Sequence, residues 1–383
     1  MSAEGTATVA ADATGTVPGR DAGQPLLQVR NVTQRYGDKV VLRNVDLDVF
    51  ENEYVTVLGP SGSGKSVLLR LIAGFEDPTE GEIDISGRNV VGVPAHLRNV
   101  GLVFQNFALF PHLKVGQNIA YGLRNRAHDR LSAAEADVKV EEMLHLVGLE
   151  GLKDRRVNQI SGGQRQRVAL ARTLATDPKI VLLDEPLGAL DANLRASMKI
   201  ELRKLQTRLG ATFVHVTGNE EEALAMADRI IVLERGRIAQ FDAPERVFAR
   251  PETAQVAFAL SRFNLVKGRV EGGSFVADGF SLCLAPDHQV LSGPATYCVG
   301  YDRVDVEEVD TSLAPGDCSI VCKHVSHEYS GATVTYLFEL PDGQHFEAQY
   351  HLHHRKAKRL EEGAEYLLRW PMARAFVYPG VVE

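Results

Sequence analysis

The alternation of apolar and polar positions predicts most of the chain's elements before any chemistry is considered. Tyr54 to Leu58 is a short apolar, β-branched run, the pattern of a buried strand. Val67, Leu68, Leu71 and Ile72 then recur at helical spacing, and Gly74 is a natural stop. Upstream, residues 27–29 and 40–49 read as paired strands about a turn at Gly37-Asp38. Downstream, residues 81–85 and 100–104 read as short strands. Residues 106–160 change character and read as a helical insertion. There Ser132 and Glu135 make a capping-box pattern, Val138, Val140, Met143, Leu144 and Val147 follow on one helix, and Gly148 can end it. Residues 180–183 are apolar throughout, as for a parallel strand covered on both faces. An amphipathic helix with Met198, Leu202 and Leu205 follows. Then come a strand over 212–216, a helix over 220–227, and strands 230–233 and 238–241 paired around Gly236. Near 245–255 helical periodicity gives way to short alternating strands. Val334, Tyr336, Phe338 and Leu340 alternate, and Pro341-Asp342-Gly343 turns the chain back. Residues 1–25, rich in Ala, Gly and Thr with almost no large apolar side chains, read as a disordered tail.

Between the Tyr54–Leu58 run and the helix after it stands Gly-Pro-Ser-Gly-Ser-Gly-Lys-Ser, which fits the phosphate-loop pattern G-x-x-x-x-G-K-[ST] in the strand–loop–helix context the motif requires. Gly59, Gly62 and Gly64 allow backbone torsions closed to other residues, so successive N–H groups can point at phosphate oxygens. The helix starting near Gly64 adds its positive end. Lys65 can reach the β- and γ-phosphates, and the Ser66 hydroxyl can ligate magnesium. The candidate nucleotide site is thus Gly59, Pro60, Ser61, Gly62, Ser63, Gly64, Lys65, Ser66 and Val67. Asp184 and Glu185 end the apolar run at 180–183; they read as solvated loop acids or as functional groups. In the second case Asp184 holds magnesium through water and Glu185 polarises an attacking water. Gln105 follows a strand end, where ligands meet an α/β sheet, though alone it is unremarkable. Ser161, Gly162, Gly163 and Gln164 open a helix that carries Arg165, Arg167 and Arg172. They form a second anion site, or Ser161 is a structural N-cap, which leaves the glycine pair unexplained. Tyr36, at the turn ahead of the phosphate loop, reads by itself as an ordinary turn tyrosine rather than a stacking platform for adenine.

The predicted fold is an α/β P-loop nucleotide-binding domain over residues 26–245, with a helical insertion over about 106–160. A smaller all-β domain like an oligonucleotide-binding (OB) fold follows over 246–383. The length of 383 residues accommodates these domains. A net charge of −8 with no long basic block argues against nucleic acid as a partner. No apolar run approaches the ~18–20 residues that span a bilayer, and no signal-peptide pattern opens the chain, so a cytosolic location is expected. The four cysteines, Cys283, Cys298, Cys318 and Cys322, are too sparse for a disulfide scaffold. With His324, His327, His345, His351, His353 and His354 they offer the material of a zinc site. However, Cys318 and Cys322 are spaced to share one strand face and no second ligand pair completes a set, so these residues read as core and surface.

Taken in order, Tyr36, GPSGSGKS, Gln105 in VFQNFALFPHL, ISGGQRQRVALAR, IVLLDEP and LGALD resemble the ATP-binding subunit of an ATP-binding-cassette transporter over residues 26–245. The β-rich remainder resembles the regulatory TOBE (oligonucleotide-fold) domain of importer ATPases for sugars, polyamines, iron, sulfate or molybdate. Where such domains often carry Arg-Pro-Glu, this chain has Asp302-Arg303-Val304. The resemblance implies a homodimer of nucleotide-binding domains closing on two ATP molecules with Mg2+. Lys65, Ser66 and the loop backbone would hold phosphates and metal in one chain, while Ser161, Gly162, Gly163 and Gln164 of the other would cap the γ-phosphate. Gln105 would link magnesium and water to the helical insertion, Asp184 would serve the metal, Glu185 would be the general base, and Asp191 would sit at the dimer seam. Tyr36 would stack on adenine after all. Separate transmembrane permease subunits and an extracytoplasmic solute-binding protein would be the partners, at the cytoplasmic face of the membrane. Coiled-coil DNA-repair members of the class are excluded by the short insertion, and exporters by the lack of fused membrane spans. One departure stands out: Gly218 and Asn219 follow the 212–217 strand where the family usually has His and Asp. Losing that donor to the γ-phosphate would cost ~2.7–4 kcal/mol, or ~10²–10³ in rate, by analogy with oxyanion-hole deletions. His215 cannot replace it from within the strand; Asn219 or a water takes over, or turnover is slow. The alternative function is therefore a slow or non-hydrolysing ATP-binding switch.

Overall fold

The computed structural model describes residues 23–125, 131–188, 190–288 and 291–382; the tail expected over 1–25 falls almost entirely outside them. The chain divides into two compact units, residues 1–249 and 250–383.

In the first unit, β1 (Leu27–Tyr36), β2 (Lys39–Val49), β3 (Tyr54–Leu58), α1 (Lys65–Ala73), β4 (Glu80–Ile85), β5 (Arg88–Asn89) and β6 (Val100–Val103) run in order. Then come α2 (Val115–Asn125), α3 (Ala133–Leu146), α4 (Gly162–Leu174), β7 (Ile180–Asp184), α5 (Ala192–Leu209), β8 (Thr212–Thr217), α6 (Glu220–Met226), β9 (Arg229–Glu234), β10 (Arg237–Asp242) and α7 (Pro244–Ala249). The central sheet has the order β10-β9-β3-β8-β7-β6, with β3, β6, β7, β8 and β9 parallel and β10 antiparallel at one edge. All five residues of β3 and all six of β8 are buried, which explains why they read as unbroken apolar runs rather than alternating ones. A separate antiparallel sheet, β2-β1-β4-β5, carries Tyr36 at the end of β1.

The first helix ends as its glycine predicts: Gly74 takes φ +81° and its N–H bonds the carbonyls of Arg70 and Leu71. A second contribution to this helix end has no local signal in the sequence. Arg98, almost fully buried, donates to the carbonyls of Leu71 (2.7 Å) and Val93 (2.7 Å) and to Asp77 (3.2 Å), so it finishes the capping of α1 from a distant loop. A Cβ on Gly74 would lie 2.3 Å from Arg98 Nε, so the glycine serves this close approach as well as its torsion. Ser132 and Glu135 form the expected capping box on α3. Val138, however, is 62% exposed; the buried side of α3 is Ala136, Val140, Met143 and Leu144.

The second unit contains α8 (Ala254–Ala259) and β11 (Phe263–Glu271), β12 (Ser274–Ala277), β13 (Phe280–Cys283), β14 (Gly293–Gly300), β15 (Asp305–Glu307), β16 (Asp317–Tyr329), β17 (Thr333–Glu339), β18 (His345–His351), β19 (Glu365–Pro371) and β20 (Ala375–Pro379). They form two five-stranded antiparallel sheets, β13-β12-β11-β14-β20 and β15-β19-β16-β17-β18. Val334, Tyr336, Phe338 and Leu340 all point into a core with Phe346, Trp370, Tyr297 and Phe275. The short helices α7 and α8 fall in the stretch read as strands; at six residues each they span too few turns to show a period. Cys318 and Cys322 share the buried face of β16, and no cluster of three or more metal-ligating side chains exists among the described residues.

Candidate functional site

The phosphate loop is shaped by contacts that only glycine permits. Gly59 lies so close to β9 that a Cβ would sit 2.2 Å from the Leu233 carbonyl oxygen, and a Cβ on Gly64, at φ +106°, would sit 2.7 Å from the Leu42 side chain. Gly62 also takes positive φ, with open space around it. Pro60, Ser61 and Gly62 are exposed while Ser63 and Gly64 are buried; the buried Ser63 hydroxyl has no hydrogen-bond partner among the described residues. Lys65 Nζ donates to the carbonyls of Gly59 (2.8 Å) and Pro60 (2.9 Å). Burial lowers its pKa, and the carboxylates of Glu185 and Asp184 act in the opposite direction. Val67 is half-buried behind the loop.

Opposite this loop stands the end of β7. Ser66 Oγ donates to Asp184 Oδ1 at 3.0 Å, so the two oxygens proposed for a metal are already adjacent. Glu185 turns out of the sheet with φ +44°, a left-handed torsion that is costly for a non-glycine residue and that clusters at functional sites. Its N–H is held by the Val216 carbonyl of β8 at 2.9 Å, and its Oε2 accepts from Gln105 Nε2 at 2.8 Å. The fold thus brings Lys65, Ser66, Asp184, Glu185 and Gln105 to one end of the parallel sheet.

Gln105 is positioned from the helical insertion. Phe107 and Ala108 both take positive φ, and Arg172 of α4 donates to their carbonyls at 2.9 and 2.6 Å. Asn118 of α2 brackets Phe110 through its N–H and carbonyl. Arg172 stood in the sequence only as one arginine of a helix; that it holds the Gln105 loop depends on a contact across 64 residues.

Ser161 is the N-cap of α4, and its hydroxyl accepts from Gln164 N–H while Gln164 Oε1 accepts from Ser161 N–H. A Cβ on Gly163 would meet the side chain of Leu194 at 2.9 Å, and Asp191 caps α5 by accepting from Leu194 N–H. Hence the close packing of α4 on α5 supplies a structural reason for one of the two glycines. No hydrogen bond among the described residues joins Ser161, Gly162, Gly163, Gln164 or Asp191 to the Gly59–Ser66 loop of the same chain. Ala189 of the LGALD stretch lies outside the described residues. Tyr36 is 45% exposed, and its hydroxyl donates to the carboxylate of Glu76, which also pairs with Arg70 at 3.7 Å.

The segment after β8 resolves part of the question raised by Gly218. Asn219 is committed to the helix: its Oδ1 accepts from Glu222 N–H at 2.9 Å, and its own N–H bonds Thr217 Oγ1. Thr217 in turn donates to the buried Glu222 carboxylate at 2.7 Å. Burial raises the Glu222 pKa, and the Glu185 carboxylate adds to this. His215 is wholly buried, bonded through Nδ1 to the Tyr54 hydroxyl, and burial pushes its pKa down to about 3, so it stays neutral behind the strand. Gly218 is exposed, and a Cβ there would touch nothing within 4 Å.

An ABC transporter family model matches residues 42–188 and a TOBE domain model matches residues 304–377. The spermidine/putrescine import ATP-binding protein PotA of Rubrobacter xylanophilus is 38% identical over 94% of this chain and 96% of its own length. Its counterpart in Pseudomonas fluorescens is 43% identical over 83% and 87%. The chain belongs to the ATP-binding subunits of ATP-binding-cassette importers. As such it is an ATPase with a C-terminal TOBE domain. Among solved structures, a dimeric ATP-binding cassette in a post-hydrolysis state bound to ADP and phosphate superposes with TM-score 0.51 at 35% identity, over 57% of this subunit and 98% of that chain. The cbiO1 protein of Clostridium perfringens, part of a transporter complex, gives TM-score 0.56 at 29% identity over 60% and 93%. No helix among the described residues of this importer subunit is long and apolar enough to cross a membrane.

Proposed function

We propose that this subunit hydrolyses Mg-ATP as a homodimer at the cytoplasmic face of a membrane and thereby drives a separate permease that imports a polyamine. The polyamine is proposed on the names of the relatives, which are spermidine/putrescine import proteins. A solute-binding protein would deliver it. The observation that carries the hydrolytic reading is Glu185, strained at φ +44° and hydrogen-bonded to Gln105, facing the phosphate loop beside Asp184 and Ser66.

In this reading Lys65 releases the loop carbonyls and takes phosphate oxygens. Ser66, Asp184 and Gln105 would hold Mg2+; hard oxygen donors with only one carboxylate fit a metal that completes its shell with water and phosphate. The ion would neutralise charge on the phosphates. Glu185 accepts the proton of the attacking water. Ser161, Gly162, Gly163 and Gln164 of the second copy close the site, with Asp191 at the seam, and Tyr36 stacks on the base.

Phosphate release from Mg-ATP by the purified subunit, reconstituted with its permease, tests this; turnover no higher than that of Glu185→Gln overturns it. The slow-switch alternative gains no support from relatives named as import proteins. Gly218→His is expected to raise turnover by roughly tenfold at most, the worth of one net hydrogen bond. A Cβ at this position touches nothing within 4 Å, so no packing fixes the start of the new side chain, and the larger oxyanion-hole figure does not apply. A gain of a hundredfold would show that the site is otherwise complete and starved of this donor. Glu76→Ala is expected to raise KM for ATP by about 2–10-fold, again one hydrogen bond, with kcat unchanged, because it frees the Tyr36 ring. In a Tyr36→Phe background the effect should vanish; if it persists, Glu76 does not act through Tyr36.

A further inference from the structure

Within the C-terminal unit, β13 is the edge strand of one sheet and packs against β16 of the other. Cys283 ends β13 and is exposed; Cys318, near the start of β16, is buried. The Cys318 thiol donates to the Cys283 carbonyl oxygen at 3.2 Å, so the two cysteines lie side by side across the two sheets. Behind it, Tyr297 and Trp370 belong to the same core as Cys318, and the Tyr297 hydroxyl accepts from Trp370 Nε1 at 2.8 Å. So a buried sulfur is held against the backbone of a cysteine that solvent can reach. Trp370 is the only tryptophan of the chain.

We propose that Cys283 and Cys318 are a reversible oxidation site, a thiol pair that closes to a disulfide and staples the two sheets of the C-terminal unit. The oxidant is hydrogen peroxide. Cys283 gives its proton to solvent and attacks one peroxide oxygen as a thiolate; the O–O bond breaks, a sulfenic acid forms, and the departing hydroxide takes up a proton as one water. Cys318 then attacks that sulfur, the S–O bond breaks, and the departing hydroxide takes the Cys318 proton as a second water. Two thiols are oxidised by two electrons and one peroxide is reduced. The order follows from accessibility, because burial raises the Cys318 pKa and disfavours its thiolate, whereas Cys283 meets solvent. Reducing compartments keep such pairs open and oxidative conditions close them, the usual behaviour of sensing disulfides inside cells. Closure removes the S–H donor to the Cys283 carbonyl and disturbs the Tyr297–Trp370 pair packed in the same core.

The test uses the full chain. Hydrogen peroxide treatment, alkylation of remaining thiols under denaturing conditions and peptide mapping should give a Cys283–Cys318 cross-linked peptide lacking two hydrogens. Tryptophan fluorescence should change in step, and a dithiol reductant should reverse both. Cys298 and Cys322 are the internal controls. Burial raises both pKa values, that of Cys322 to about 12, so they should be recovered fully alkylated. Cys283→Ser, at an exposed position, should fold normally and lose both signals. Recovery of Cys318 as a free thiol while Cys283 becomes a sulfinic acid or bridges two chains would overturn the proposal. So would a fluorescence response that survives in Cys283→Ser.

Discussion

Glu185→Gln is expected to lower ATP turnover by ~10²–10⁴-fold, the usual contribution of a positioned general base, while leaving nucleotide affinity near the native value. The substitution preserves length and shape. The amide oxygen can still accept from Gln105 Nε2, which reaches the present carboxylate at 2.8 Å, and the backbone keeps the Val216 carbonyl bond that fixes the turn. What is lost is the capacity to take a proton from water. Asp184 cannot supply it, because its oxygen is engaged by the Ser66 hydroxyl at 3.0 Å. Glu222 cannot either: it is buried, occupied by Thr217, and raised in pKa by burial. Phosphate release and equilibrium ATP binding, measured on the same preparation, separate the two effects. Unchanged turnover would remove Glu185 from the mechanism; a loss of binding equal to the loss of rate would make it a binding residue instead.

The largest expected effect on stability comes from Glu53→Ala. Glu53 and Arg229 form a two-pronged ion pair, with Nε to Oε1 at 2.5 Å and Nη2 to Oε2 at 3.0 Å, and both side chains are almost wholly buried. Glu53 also accepts from Phe50 N–H at 2.8 Å, and Arg229 donates to the Asp48 carbonyl and lies over the rings of Phe241 and Phe50. The pair therefore joins the strand that leads into the phosphate loop to the neighbouring β9. Truncating Glu53 leaves a desolvated guanidinium with one carbonyl partner, and breaking such a pair costs about 3–5 kcal/mol. Because the chain has two units, unfolding should be followed with probes for each, and only the transition of the first unit should move. The double variant Glu53→Ala, Arg229→Met should recover much of the loss, since it removes the stranded charge. A shift below ~0.5 kcal/mol, typical of surface substitutions, would mean the pair is hydrated in solution.

Much of the site was readable because its chemistry is local in sequence. The phosphate loop needs Gly59, Gly62 and Gly64 close in sequence to Lys65 and Ser66, and the acidic pair needs only a strand end, so both leave a contiguous trace. The capping box at Ser132, the Gly74 stop and the turn at Pro341-Asp342-Gly343 are equally local. Other features were not local. Arg98 closes α1 across 27 residues and Arg172 holds the Gln105 loop across 64, and an arginine in a sequence carries no sign of which carbonyls it will meet. Glu76 under Tyr36, 40 residues away, is of the same kind.

The sequence by itself determined the order of elements, the α/β and all-β halves, the phosphate loop and the family, because periodicity and short motifs record backbone conformation residue by residue. Only the tertiary structure decided what each polar side chain faces. It tied Asn219 to Glu222, and left open space where a Gly218 side chain would begin. It buried His215 as a neutral group and set Cys318 against Cys283. Those outcomes depend on which strands become neighbours and on how much water each group keeps, and neither quantity is written in any local stretch of the chain.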